Sequence, residues 1–129
     1  MLTKDEILAA ADRPVETAAV PEWGGEVSLR VMSAAMRDEF ERLQFEGRDR
    51  QERLANIRAT LVSFCLAGPD GERLFGPDEV KALGEKSAKA LDRLFWRCRK
   101  LNALGDADIE DLEKNSSGGR DGASPSPSP

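Results

Sequence analysis

The apolar positions change period along this chain, and the changes divide it into elements. Leu2-Thr3-Lys4-Asp5-Glu6-Ile7 has the spacing of a capping box: Thr3 accepts from the backbone N–H of Glu6, and Glu6 reaches back to Thr3. Leu2 and Ile7 stand at the positions of a hydrophobic staple, and a short helix over 4–11 is predicted, ended by Pro14. From there the period drops to two. Val27, Leu29 and Val31 alternate with Glu26, Ser28 and Arg30, as in a half-buried strand, and Val15 to Val20 is a weaker alternating run. Pro21-Glu22-Trp23-Gly24-Gly25 separates them, which predicts a β-hairpin with Trp23 at or near its tip.

The helical period returns at Ser33, a natural N-cap for a helix over 34–46 with Met36, Phe40 and Leu43 on its inner face and Phe45 pointing the other way. Gly47 ends it, and Arg48-Asp49-Arg50 is a charged link. A second helix is predicted over 51–66, its apolar stripe being Leu54, Ile57, Leu61, Phe64 and Cys65. Gly68-Pro69-Asp70-Gly71 is a turn, and Glu72 to Phe75 is long enough for a strand fragment only. Pro77, followed by Asp78 and Glu79, starts a short helix that stops at Gly84. Ser87 caps a helix over 88–103, and Gly105-Asp106 leads into an acidic helix over 107–114 carrying Ile109 and Leu112. The expected fold is mainly α, in the α+β class. A short N-terminal helix and a β-hairpin precede a compact bundle of about four helices. Residues 115–129, NSSGGRDGASPSPSP, lack the apolar surface to offset chain entropy, so one domain over 1–114 with a disordered tail over 115–129 is expected.

Charge sharpens this picture in one place. At 100° per residue, Lys86, Lys89, Arg93, Arg97 and Lys100 fall within about 80° of one another, opposite Leu91, Leu94, Phe95, Cys98, Leu101 and Asn102. Trp96 stands beside this basic ridge, away from the apolar stripe. Two readings remain open: a solvated face with a stray aromatic, or a docking face, since Trp and Arg are common interface anchors. The acidic residues Asp106, Asp108, Glu110, Asp111 and Glu113 could fold back on the ridge and neutralise it. Trp23 is either packed beneath the helices or an exposed contact.

Composition narrows the chemistry. The 129 residues carry 24 acidic and 19 basic side chains, a net charge of −5, which disfavours sequence-independent nucleic-acid binding. There is no histidine and no tyrosine, so Ser-His and Cys-His nucleophiles and His-ligated metals are excluded. No acid pair is marked as a general acid and base, and no glycine-rich phosphate motif is present. Neither an enzyme nor a cofactor or metal protein is expected. Cys65 and Cys98 fall on apolar helical positions and are expected to be reduced core residues. No secretory signal and no membrane span are expected.

The order of segments resembles the tail assembly chaperones of long-tailed, non-contractile bacteriophages. The resemblance runs over residues 12–115. It is carried by VPEWGGEVSLRVMS (20–33), SAAMRDEFERLQFE (33–46), RLANIRATLVSFCL (53–66), the stretch 68–104 and DADIEDLEKN (106–115). Its sharpest pieces are the hairpin with Gly25 and Arg30, Asp70-Gly71 before Leu74-Phe75, and Leu83-Gly84-Glu85-Lys86-Ser87 leading into Leu91-Asp92-Arg93-Leu94. Met36 departs from the S-x-x-E capping pattern, and Trp96 and Cys98 stand where smaller or polar residues are expected. The resemblance implies a non-enzymatic protein of the host bacterial cytoplasm, absent from the mature virion. Such a protein binds the tape measure protein and keeps it soluble while the tail tube polymerises around it. The tail tube protein would be reached through a frameshifted longer form. The candidate partner-binding residues are Trp96, Lys89, Arg93, Arg97 and Lys100, with Trp23 and Arg30 as a second patch. The competing class is a small structural virion protein, such as a head–tail connector or tail-completion protein.

Overall fold

A computed structural model describes residues 1–45 and 56–104. The expectations for Phe45, Gly47, the 48–50 link, Leu54, the acidic helix and the 115–129 tail fall outside what is described. Helix α1 (Lys4–Ala9) starts on the expected capping box: Thr3 Oγ1 accepts from Glu6 N at 3.2 Å and Glu6 Oε1 accepts from Thr3 N at 2.9 Å. At the staple positions, Leu2 and Ile7 are 70% and 56% exposed, and no residue of α1 is buried against the described part of the chain.

Strand β1 (Val15–Val20) pairs antiparallel with β2 (Gly25–Arg30) in the register Val15↔Arg30 to Val20↔Gly25. A 3-10 turn over Pro21–Trp23 joins them, and Gly24 takes the left-handed conformation at φ 77°, which glycine adopts without a Cβ clash. Ala18, Val20 and Leu29 are buried. The helix α2 (Ala34–Phe45) begins at the expected cap, with Met36 N donating to Ser33 Oγ at 3.1 Å.

Helix α3 (Ile57–Cys65) stops earlier than its periodicity predicts. Leu66 turns extended, and Leu66–Ala67 becomes β3, pairing with Ser28 and Leu29 to complete the sheet order β1-β2-β3. Helical spacing cannot reveal this, since Leu66 would be buried in either conformation. The expected fragment at 72–75 survives as a single bridge between Ala67 and Arg73. A 3-10 turn (Pro77–Glu79) leads into α4 (Val80–Gly84), as predicted.

Helix α5 (Ala88–Leu101) is capped by Ser87, whose Oγ accepts from Ala90 N at 3.2 Å. It ends two residues before the expected 103 in a Schellman turn: Leu104 N bonds Arg99 O at 2.8 Å and Ala103 N bonds Lys100 O at 3.2 Å. Ala103 accordingly stands at φ 56°. The chain breaks here because Leu104 gains more by returning to the core, where it is buried, than by extending the helix.

The core lies between the inner face of the sheet and helices α2, α3 and α5, with Leu29, Phe40, Leu61, Leu66 and Leu94 fully buried. Phe40 and Phe64 meet edge to face at 6.0 Å. Cys65 and Cys98 are buried and unbridged, as expected. The Cys98 thiol is held protonated by its hydrogen bond to Cys65 and by burial. One polar side chain ties the core elements together. Asn102 Oδ1 accepts from Met32 N at 2.8 Å, and its Nδ2 donates to Cys98 O at 2.9 Å and Cys65 Sγ at 3.3 Å.

Candidate functional site

The basic ridge exists on α5, but the hairpin uses part of it. Glu22, beside the hairpin tip, accepts two parallel hydrogen bonds from the Arg93 guanidinium at 2.8 Å each. This bidentate pairing holds the Glu22 carboxyl down at about 2. One turn along the helix, Arg97 Nε donates to Glu16 Oε1 at 2.8 Å and Nη2 to Thr17 O at 3.4 Å. Two cations of the ridge are therefore paired within the fold. Arg93 and Arg97 fasten α5 to the hairpin, and the acids that meet them come from β1 and the tip. The helical wheel could not show this, because Glu16 and Glu22 lie far away in sequence.

Lys89 and Lys100 are exposed, and Trp96 is 58% exposed as its helical position predicts. The ring is not loose. The Arg99 guanidinium lies 4.2 Å from its centroid, and Phe95 meets it edge to face at 6.4 Å. Arg30 is also engaged by the fold. Its Nη1 donates to Gly71 O at 2.8 Å and its Nε to Arg13 O at 3.3 Å, so it pins the 68–71 turn and the start of β1 to β2. A Cβ on Gly71 would come within 2.9 Å of Arg30 Nη1, so the guanidinium would have to shift to admit it.

Trp23 has a different setting. It is half-buried and lines an open cleft of about 440 Å³ with Val27, Leu66, Leu74, Phe75 and Leu83. Lys86 stands exposed at its rim. The walls come from the hairpin, the 72–75 fragment and α4, and Leu74 is 51% exposed. The Trp23 indole Nε1 is buried with no acceptor among the described residues, an unmet donor that in water would be satisfied. Both readings of Trp23 thus hold in part: it packs on the core and also forms a wall open to solvent. Sequence reasoning missed Leu74, Phe75 and Leu83 as a site. Their one signal was a cluster of apolar residues in short elements, and only the tertiary fold brings them against Trp23.

The described surface thus holds an apolar cleft and, on α5, an exposed side that carries lysines and a tryptophan. The fold is that of a tail assembly chaperone. The structure of the bacteriophage HK97 tail assembly chaperone matches with a TM-score of 0.56 at 23% identity, over 79% of this chain and 95% of that one. In sequence, no protein-family model and no curated protein matches.

Proposed function

We propose that this chain is a non-enzymatic phage tail assembly chaperone that binds the tape measure protein and keeps it soluble while the tail tube polymerises. The observation that carries the reading is the fold shared with the HK97 chaperone across nearly all of that chain. The cleft supplies the chemistry such a role needs. A tape measure protein is long and helical, and an amphipathic helix can lay its apolar side chains between Trp23, Leu74 and Leu83. Lys86 and Lys89 then face acidic residues flanking that stripe. The action is expected in the host cytoplasm, with the protein absent from the finished particle and the tail tube reached through a frameshifted longer form.

Co-expression with the tape measure protein of the same genome tests this. The partner should stay soluble and co-purify, and Leu74→Asp should weaken capture at least tenfold without a large change in thermal midpoint, since Leu74 is half exposed. A tape measure protein that remains insoluble would sink the reading. Recovery of this chain from purified particles by mass spectrometry would favour a structural virion protein instead.

A further inference from the structure

The stretch 73–83 that walls the Trp23 cleft also walls a second one, of about 410 Å³, with α2 and α3 as its other sides. Its character is different. Leu43, Phe64 and Val80 give it apolar ground, and Arg42, Arg73 and Lys81 bring three cations against one acid, Glu39. Glu39 is already engaged, since its Oε1 accepts from Arg42 Nε at 3.0 Å. Arg73 is half-buried and held in place. Its guanidinium lies 3.9 Å from the Phe64 ring centroid, with Nε donating to Ser63 O at 3.1 Å and Nη2 to Ser63 Oγ at 3.0 Å. Among the described residues its Nη1 has no acceptor, and neither Arg73 nor Lys81 forms an ion pair. Burial holds the Arg73 guanidinium below its ordinary pKa, a penalty that a facing carboxylate would offset.

The chain carries an acid-rich stretch within reach of this cleft. Asp106, Asp108, Glu110, Asp111 and Glu113 stand in 106–113 without a base, and Ile109 and Leu112 lie among them. The stretch follows directly on Leu104, close to Asn102, whose carbonyl accepts from Arg37 Nη1 on α2 at 3.3 Å. The cleft begins on the same helix at Glu39. Crossing α2 takes about 10–12 Å, the width of a helix. Gly105 to Ile109 can span about 17 Å when extended, which brings Glu110, Asp111 and Glu113 within range. The ridge on α5 competes less well. Its Arg93 and Arg97 already hold Glu22 and Glu16, and Lys89 and Lys100 are exposed, where water and salt screen a charge pair most.

We propose that the acidic stretch 106–113 docks in this second cleft of its own chain, with carboxylates at Arg73 and Lys81 and with Ile109 or Leu112 against Leu43 and Val80. The stretch then masks a carboxylate-binding site, and a partner with acidic side chains enters the cleft only by displacing it. The assignment does not depend on the tape measure reading, because it concerns a different cleft and its test uses this chain alone.

Carbodiimide coupling joins an amine to a carboxylate in contact with it. It should link Lys81 to an acid of 106–113 within one chain, as read by mass spectrometry of the monomer band. Lys81→Arg keeps the charge and should remove the link. Links from the stretch to Lys89 or Lys100 in its place, links found in dimers only, or no link would overturn the proposal. A reciprocal arm uses the full chain with Asp106→Asn, Asp108→Asn, Glu110→Gln, Asp111→Asn and Glu113→Gln together. By calorimetry this variant should bind citrate, a small tricarboxylate probe, at least tenfold more tightly than wild type. Adding Lys81→Gln should lower that affinity again. Equal citrate affinity in wild type and the amide variant, or binding by neither, would show that the stretch covers no anion site there and would end the proposal.

Discussion

Leu61 and Phe95 each occupy the middle of an apolar stripe and are buried, Leu61 completely. Truncating Leu61 to Ala is expected to cost about 2–5 kcal/mol and Phe95 to Ala about 3–5 kcal/mol in urea titration, from lost transfer energy and the cavity left behind. Their neighbour Trp96 should behave differently. With its ring exposed and the Arg99 guanidinium over it, Trp96→Ala is expected to cost about 1 kcal/mol or less. A second expectation at this scale concerns pH. Glu22 is lowered from the ordinary 4.5 to about 2 by its hydrogen bonds to Arg93. Its folded value is depressed, so the contribution is complete above 4.5 and fades as pH falls toward 2. The difference in urea midpoint between wild type and Glu22→Gln should therefore be present at pH 7 and shrink across that window. The pair is solvent-accessible, so high salt should shrink it as well.

Between elements, the contact of Arg30 with the 68–71 turn joins the hairpin to the connection that walls the cleft. Gly71 stands at φ 83° with Arg30 Nη1 against the place a Cβ would occupy. Gly71→Ala is expected to destabilise by about 1–2 kcal/mol, because it adds left-handed strain and displaces the guanidinium. Gly25 has open space around it and an ordinary backbone. Gly25→Ala should be neutral or stabilising by a few tenths of a kcal/mol. Equal thermal shifts from the two substitutions would show that Arg30 does not brace the turn. At 71 the positive φ favours glycine; at 25 the local geometry does not require it.

At the scale of the molecule, the charged side of α5 divides into paired arginines and exposed lysines. Arg93→Glu with Arg97→Glu places acids against Glu22 and Glu16, so helix and hairpin should repel and the thermal midpoint should fall. Lys89→Glu with Lys100→Glu changes exposed residues and should leave the midpoint within a degree or two, as surface substitutions do. If the partner is acidic beside its apolar stripe, the lysine reversal should weaken capture, and most strongly at low salt. A pull-down at two salt concentrations, paired with thermal melts of both doubles, tests whether the exposed lysines, unlike the paired arginines, contribute to docking.

The local elements were legible in the sequence wherever a short-range rule governs them. The Thr3–Glu6 box, the caps Ser33 and Ser87, the period-two hairpin and the stripes through Leu61 and Phe95 all depend on residues within about one or two helical turns or strand pairs. Even Asn102 carried a signal, a polar residue on the apolar face of its helix. Contacts between distant segments carried none. Only the tertiary structure turned Leu66–Ala67 into a strand, paired Arg93 and Arg97 with Glu22 and Glu16, and brought Leu74 and Leu83 against Trp23. Periodicity records which face of an element is apolar, and it contains no information on which other face, or which distant acid, will meet it. For the same reason the spacing of α1, which is that of a packed helix, could not show that it stays exposed among the described residues.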